Sequence, residues 1–152
     1  MIENFGVKDA PLFTQILNAT SLVGLVNTLR GKGIRFQTLR ADVDFTPNKI
    51  EIKNSFASGT SLGVSTEGAI DRNSDQISIK GMIVPAYILN RIIDQIPVVG
   101  RILTGGKKEG LLAAEYLISG TRDEPEVSVN PLTAFTPGFL RAFVKATRKP
   151  LE

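Results

Sequence analysis

Three features of this chain have residue types and spacing that could do chemistry: a carboxylate pair, a glycine-rich loop and a sequon. Asp42 and Asp44 stand two apart, so on a strand they share one face, where paired carboxylates can bind a cation or work as acid and base. They read more simply as the polar face opposite Leu39, Ala41, Val43 and Phe45, and Asp71, Asp75, Asp123, Glu124 and Glu126 read as turn residues. The loop Gly100-Arg-Ile-Leu-Thr-Gly-Gly-Lys-Lys108 invites comparison with a phosphate-binding loop. It fails that comparison, because its Gly-Lys pair is out of register, Lys108 stands where a hydroxyl is needed, and an apolar helical segment precedes it instead of a strand. Asn18-Ala-Thr20 matches a glycosylation sequon beside an expected helix break.

The missing residue types exclude more. With no His and no Cys, there is no Ser-His-Asp or Cys-His nucleophile system, no zinc site of the usual ligand sets and no disulfide. The chain is expected to be non-catalytic and to need no cofactor. A formal net charge of +3 on 152 residues is a weak field, and the aromatics lie on apolar faces instead of alternating with Lys or Arg, so nucleic acid is not an expected partner. The first residues show neither a basic n-region nor an apolar core of a secretory signal, and no segment reaches the ~18 uninterrupted apolar residues of a membrane span.

The elements that must position these residues follow from periodicity. The length suits a single domain over 1–152, able to bury roughly 70% of the surface of its unfolded chain. Residues 1–33 read as a helical lead-in. Asp9 is placed to cap a helix with Pro11 in its first turn and Leu12, Phe13, Ile16 and Leu17 at helical spacing. Thr20 or Ser21 then caps a second helix that Gly31-Lys-Gly33 stops.

From Ile34 the period becomes two, and 34–84 reads as an antiparallel β meander. Ile34 and Phe36 share one phase, Leu39 to Phe45 the other, which predicts a β-bulge at Gln37-Thr38. Thr46-Pro-Asn-Lys49 is a turn, after which Ile50, Ile52 and Phe56 point inward. Leu62 to Ile70 and Ile77 to Ile83 make two more strands, joined by the polar turn Asp71-Arg-Asn-Ser74.

A helical insertion is expected over 85–106, opened by Pro85 and carrying Ile88, Leu89, Ile92, Ile93, Val98, Val99, Ile102 and Leu103. Residues 107–130 read as strands, the first, about Gly110 to Ser119, apolar on both faces and so expected to be covered on both. Residues 131–149 read as C-terminal helices with an apolar stripe of Leu132, Phe135, Phe139 and Phe143 beside Arg141 and Lys145. The fold class is therefore α+β, an antiparallel meander with one apolar face covered by amphipathic helices from the N-terminus, the middle and the C-terminus.

Several punctuated segments occur in order: Gly68-Ala-Ile-Asp71, Ile79-Lys-Gly-Met-Ile-Val-Pro-Ala-Tyr-Ile-Leu-Asn90, Ile96-Pro-Val-Val-Gly-Arg-Ile-Leu-Thr-Gly-Gly106, Glu109-Gly-Leu-Leu-Ala-Ala-Glu-Tyr116, and Asp123-Glu-Pro-Glu-Val-Ser-Val-Asn-Pro-Leu-Thr-Ala-Phe-Thr-Pro-Gly-Phe-Leu-Arg141. Together they resemble the C-terminal region of large AsmA-like bacterial envelope proteins of the YhdP type, over about Gly68 to Phe143. The resemblance implies lipid transport without catalysis: a protein anchored in the inner membrane, a long β groove across the periplasm, and a C-terminal end near the outer membrane. On that reading the chain is the terminal module of a longer AsmA-like protein in the periplasm.

An antiparallel sheet with one apolar face can shelter acyl chains while its other face stays wet. The sheltering face is expected to comprise Phe36, Val43, Phe45, Ile50, Ile52, Phe56, Val64 and Ile77, with phospholipid as ligand. The residues listed above in the helical insertion and the C-terminal stripe, from Ile88 to Lys145, are expected to touch a membrane surface or an envelope protein. A structural or docking cap that carries no lipid is the alternative.

Overall fold

The structure, a computed structural model, describes residues 1–20, 22–86 and 113–130. Seven strands form one antiparallel sheet in which spatial order equals chain order: β1 (Ile2–Val7), β2 (Ile34–Phe45), β3 (Lys49–Gly59), β4 (Leu62–Asp71), β5 (Gln76–Pro85), β6 (Ala114–Thr121) and β7 (Pro125–Asn130). Two helices, α1 (Pro11–Ala19) and α2 (Val23–Arg30), connect β1 to β2. An α+β fold on an antiparallel meander is therefore observed, with helical cover from the N-terminal part. The insertion over 87–106, the segment 107–112 and the helices expected over 131–149 lie outside the described residues.

The lead-in is not wholly helical, because residues 2–7 form a strand. Asn4, at φ +53°, interrupts the alternation between Ile2 and Phe5, and it lies opposite the break in β2 between Phe36 and Thr38. Phe5 then stacks on Phe36, with ring centroids 5.1 Å apart. The bulge expected at Gln37-Thr38 is thus present, and it keeps Ile34, Phe36, Leu39, Ala41, Val43 and Phe45 on one face.

The helix caps differ from expectation. Ala10 is the N-cap of α1, after Asp9 at φ +50°, and Pro11 takes the first helical position. Thr20 sits at the C-cap of α1, where its buried hydroxyl donates to the Leu17 carbonyl at 3.0 Å, and it is not the N-cap of α2. Leu22 starts α2 without a side-chain cap, and Gly31 follows its last residue.

The helix hairpin lies across the apolar face, α2 against β2 and α1 against β7. Beneath it Leu17, Leu29, Ile34, Leu62 and Ile83 are fully buried, with Ile16, Val26, Phe36, Ala57 and Tyr116 around them. Each large side chain removed from water here contributes about 1.5–3 kcal/mol.

Tyr116 is the polar member of this core. Its ring lies over Gly81, its hydroxyl donates to the Ser65 carbonyl at 2.9 Å, and that same oxygen is 2.7 Å from the Thr66 hydroxyl. Burial pushes the phenol up, against a smaller downward effect of the Thr66 bond. In a Tyr87→Phe background, ultraviolet titration is expected to show Tyr116 ionising above the ordinary 10.0. The sign is that of a raised acid: its contribution is complete below the unfolded-state value and is lost as pH rises through the folded-state one. Tyr116→Phe is expected to cost about 1 kcal/mol in urea denaturation.

Pro85 ends β5 opposite Leu62, the Ala86 amide donates to the Ser61 carbonyl at 2.9 Å, and Ala86 is itself helical; the rest of the helix expected from Pro85 lies outside the described residues. Two further expectations are corrected. The described part of the strand expected at 110–119 is β6, beginning at Ala114, and it is covered on both faces only at its start, where Ala113 and Ala114 are both buried. Ala114 and Tyr116 are buried, but Leu117, between Lys80 and Ser128 on the other face, is 42% exposed. Phe56 does not point inward with Ile50 and Ile52. The register slips between Ile52 and Ser55, an extra residue in β3, so Ala57 takes the inner position opposite Leu39 while Phe56 lies opposite Arg40 and Ser65 on the other face.

Candidate functional site

Antiparallel pairing sorts the inner face into rows that run across the sheet. The row nearest the short turns is Phe45, Ile50, Ile70, Ile77, Gly120 and Pro125. Behind it come Val43, Ile52, Gly68, Ile79, Ile118 and Val127, and then Ala41, Ser55, Thr66, Gly81, Tyr116 and Val129. The fourth row, Leu39, Ala57, Val64, Ile83 and Ala114, lies where the helices cover the sheet.

The helix hairpin covers only part of this face. Leu39, Val64, Ile79, Ile118, Val127 and Val129 pack against the core beneath it. Val43, Phe45, Ile50, Ile52, Ile70 and Ile77 do not belong to that core: five are half-buried by their sheet neighbours and Phe45 is 74% exposed. They form an apolar strip across β2 to β5, about 14 Å wide at the usual strand spacing. Among the described residues no helix lies on it.

The eight residues expected on the sheltering face therefore divide. Val43, Phe45, Ile50, Ile52 and Ile77 come together in the strip. Phe36 and Val64 belong to the covered end, and Phe56 to the opposite face. Ile70 is the strip residue that sequence reasoning left out of the site, although its phase within Leu62–Ile70 placed it inward. The membrane- or partner-contact candidates, Ile88 through Lys145, lie outside the described residues.

The rim beside the strip is built of tight turns laced to one another. Thr46 closes the β2–β3 turn, its hydroxyl donating to the Lys49 carbonyl and accepting from the Lys49 amide, both at 3.0 Å. Asp71 accepts the Asn73 and Ser74 amides at 2.8 and 2.9 Å, and these bonds hold its carboxyl below the ordinary 3.8. The Arg72 amide donates to the Asn48 carbonyl and the Arg122 amide to that of Asp75, while the Arg122 Nε lies 2.8 Å from the Asp75 carboxylate.

Towards the short turns the outer face is polar and largely self-neutralised, whereas at its other end Phe56, Met82 and Val84 are buried. Lys53 pairs with Asp44 and Lys80 with Glu67, each carboxylate raising its lysine, first through the hydrogen bond and then through charge. Lys53, Glu67 and Lys80 line a shallow concavity of ≈ 390 Å³ with Glu51 and Ser78. Asp42 and Asp44 share this outer face, as expected. Among the described residues there is no group of His, Cys, Asp or Glu able to hold a metal ion, and no helix is long and apolar enough to cross a membrane.

No family model, curated protein or solved structure matches the chain.

Proposed function

We propose that this chain is the terminal module of a lipid conduit of the bacterial envelope, a non-catalytic element that shelters phospholipid acyl chains on its apolar β face. The observation that carries the reading is the strip formed by Val43, Phe45, Ile50, Ile52, Ile70 and Ile77, an apolar surface that continues the core beyond its helical cover. Each methylene taken from water onto such a surface gains about 0.8 kcal/mol. A chain segment of five or six methylenes along the strip is therefore held by about 4 kcal/mol, weak enough to slide and without need of a specific polar contact. Behind the strip the outer face, with its Lys53–Asp44 and Lys80–Glu67 pairs, stays wet.

The ordered segments from Gly68 to Arg141 that resemble AsmA-like envelope proteins support the same reading and its periplasmic setting. A docking cap that carries no lipid is the second reading. The helix hairpin favours it, because α1 and α2 seal the other end of the same face.

Native mass spectrometry of the detergent-free chain, incubated with phosphatidylethanolamine and phosphatidylglycerol vesicles, separates the two. The conduit reading expects adducts of phospholipid mass. A spectrum of apo protein alone gives the lead to the docking cap.

A further inference from the structure

We propose, building on the lipid reading above, that Arg72 at the turn end of the sheet takes the phosphodiester of a lipid whose acyl chains lie on the apolar strip. The strip lies between the helix hairpin on one side and the turns 46–48 and 72–75 on the other. Acyl chains on Val43, Ile50, Ile52 and Ile70 therefore meet protein at one end and water at the other. A charged headgroup stays hydrated only at the turns, because toward the hairpin it would be desolvated against apolar side chains.

The charges near that end sort by face. Lys49, Glu51 and Asp71 alternate with Ile50 and Ile70 and so belong to the outer face, where Lys49 Nζ lies 3.1 Å from the Glu51 carboxylate. The turns themselves hold Arg72, Asp75, Arg122, Asp123 and Glu124. Arg122 is engaged, its Nε 2.8 Å from the Asp75 carboxylate. Arg72 is exposed and has no ion pair among the described residues.

The backbone of Arg72 is nonetheless fixed. Its amide donates to the Asn48 carbonyl at 2.8 Å, which ties the β4–β5 turn to the β2–β3 turn. The side chain is thereby tethered just beyond the Ile50–Ile70 pair, the central strip residues nearest the turns. A planar guanidinium offers two parallel N–H groups to two phosphate oxygens, a match that the point charge of a lysine lacks.

Asp123 and Glu124 also have no ion pair among the described residues, but they lie in the β6–β7 turn, two strands on and about 10 Å away at the usual spacing. They border Gly120 and Pro125 and not the strip. An anionic group is therefore drawn to the β4–β5 turn and away from the β6–β7 turn, which sets the headgroup at the end of the strip itself.

The test uses the full chain, ¹⁵N-labelled, and two soluble amphiphiles of equal acyl length, dihexanoyl phosphatidylglycerol and dihexanoylglycerol, each titrated below its micelle concentration. In the parent chain both are expected to shift the amides of Val43, Ile50 and Ile70, and the phosphatidylglycerol also the Arg72 Nε–H. Arg72→Gln keeps the backbone bond to Asn48; it is expected to weaken the phosphatidylglycerol about tenfold and to leave the diacylglycerol unchanged. Arg122→Gln removes the same charge from the neighbouring turn and should weaken the phosphatidylglycerol by less than about twofold. Glycerol phosphate at millimolar concentration should not shift Arg72, since the acyl chains supply the rest of the affinity. The headgroup site is overturned, with the lipid reading intact, if Arg72→Gln affects both amphiphiles alike or neither, if Arg122→Gln matches it, or if glycerol phosphate binds Arg72 as tightly as the phospholipid. If neither amphiphile shifts the strip of the parent chain, the site and the lipid reading fall together.

Discussion

Gly81→Ala is expected to lower the stability of the fold by about 3 kcal/mol or more, read as a fall in the urea midpoint at unchanged slope. Elsewhere in a strand the substitution would help, since alanine removes conformational freedom from the unfolded chain and gains about 0.4–1 kcal/mol. Here the sign reverses because a Cβ has nowhere to go. It would overlap the Ser65 carbonyl oxygen and stand 2.5 Å from the Tyr116 hydroxyl. The tyrosine can move only by giving up its bonds to Ser65 and Thr66, and the Ser65 carbonyl belongs to the backbone of β4.

Strands β4 and β5 must therefore part at the centre of the sheet. Tyr116→Phe in the same chain removes the hydroxyl contact and, although the ring's Cζ still stands 2.6 Å from the new Cβ, frees the ring from its bonds to Ser65 and Thr66 so that it can tilt away. A double-mutant cycle should show the pair costing less than the sum of the single changes by roughly 0.5–1 kcal/mol. A Gly81→Ala chain as stable as the parent would mean that the ring does not rest on this glycine.

That packing could not be read from the sequence, and the reason distinguishes what was legible from what was not. Strand positions were legible because alternation is local: Ile50, Ile52, Leu62, Val64, Ile77 and Ile79 each declare a face within their own segment. The bulge at Gln37-Thr38 was legible for the same reason, since Phe36 and Leu39 are both apolar and out of phase. The bulge in β3 was not. Its extra residue lies among Lys53, Asn54 and Ser55, where no apolar side chain marks the slip, and Phe56 keeps even spacing with Ile52 while facing the other way.

β1 was missed because six residues with a kink at Asn4 show almost no period. The meeting of Tyr116 with Gly81, 35 positions apart in sequence, is decided only when β5 and β6 pair. The uncovered strip was half legible: its residues were inward by phase, but which part of the inner face the helices cover depends on where the α1–α2 hairpin lands. That landing is set by Ile16, Leu17, Val26 and Leu29 meeting Ile34, Leu62 and Ile83.

The landing also makes the lipid reading testable by position. Phe45→Asp and Leu17→Ala are expected to have opposite consequences. Phe45 is 74% exposed at the end of β2, so a carboxylate there stays hydrated in the lipid-free chain and stability changes by no more than about 0.5 kcal/mol. Once an acyl chain lies along Val43, Ile50, Ile70 and Ile77, that carboxylate borders hydrocarbon, and desolvating it is expected to reduce phospholipid uptake at least about tenfold. Leu17 is fully buried beneath the hairpin, and its truncation leaves a cavity that costs about 2–5 kcal/mol. It touches no part of the strip, so at a temperature where the variant remains folded its uptake should match the parent's.

Urea denaturation and native mass spectrometry with the same vesicles measure both quantities on the same samples. If uptake instead follows stability, falling with Leu17→Ala and unmoved by Phe45→Asp, lipid is entering the core beneath the helices, and the strip is an exposed apolar surface with some other role.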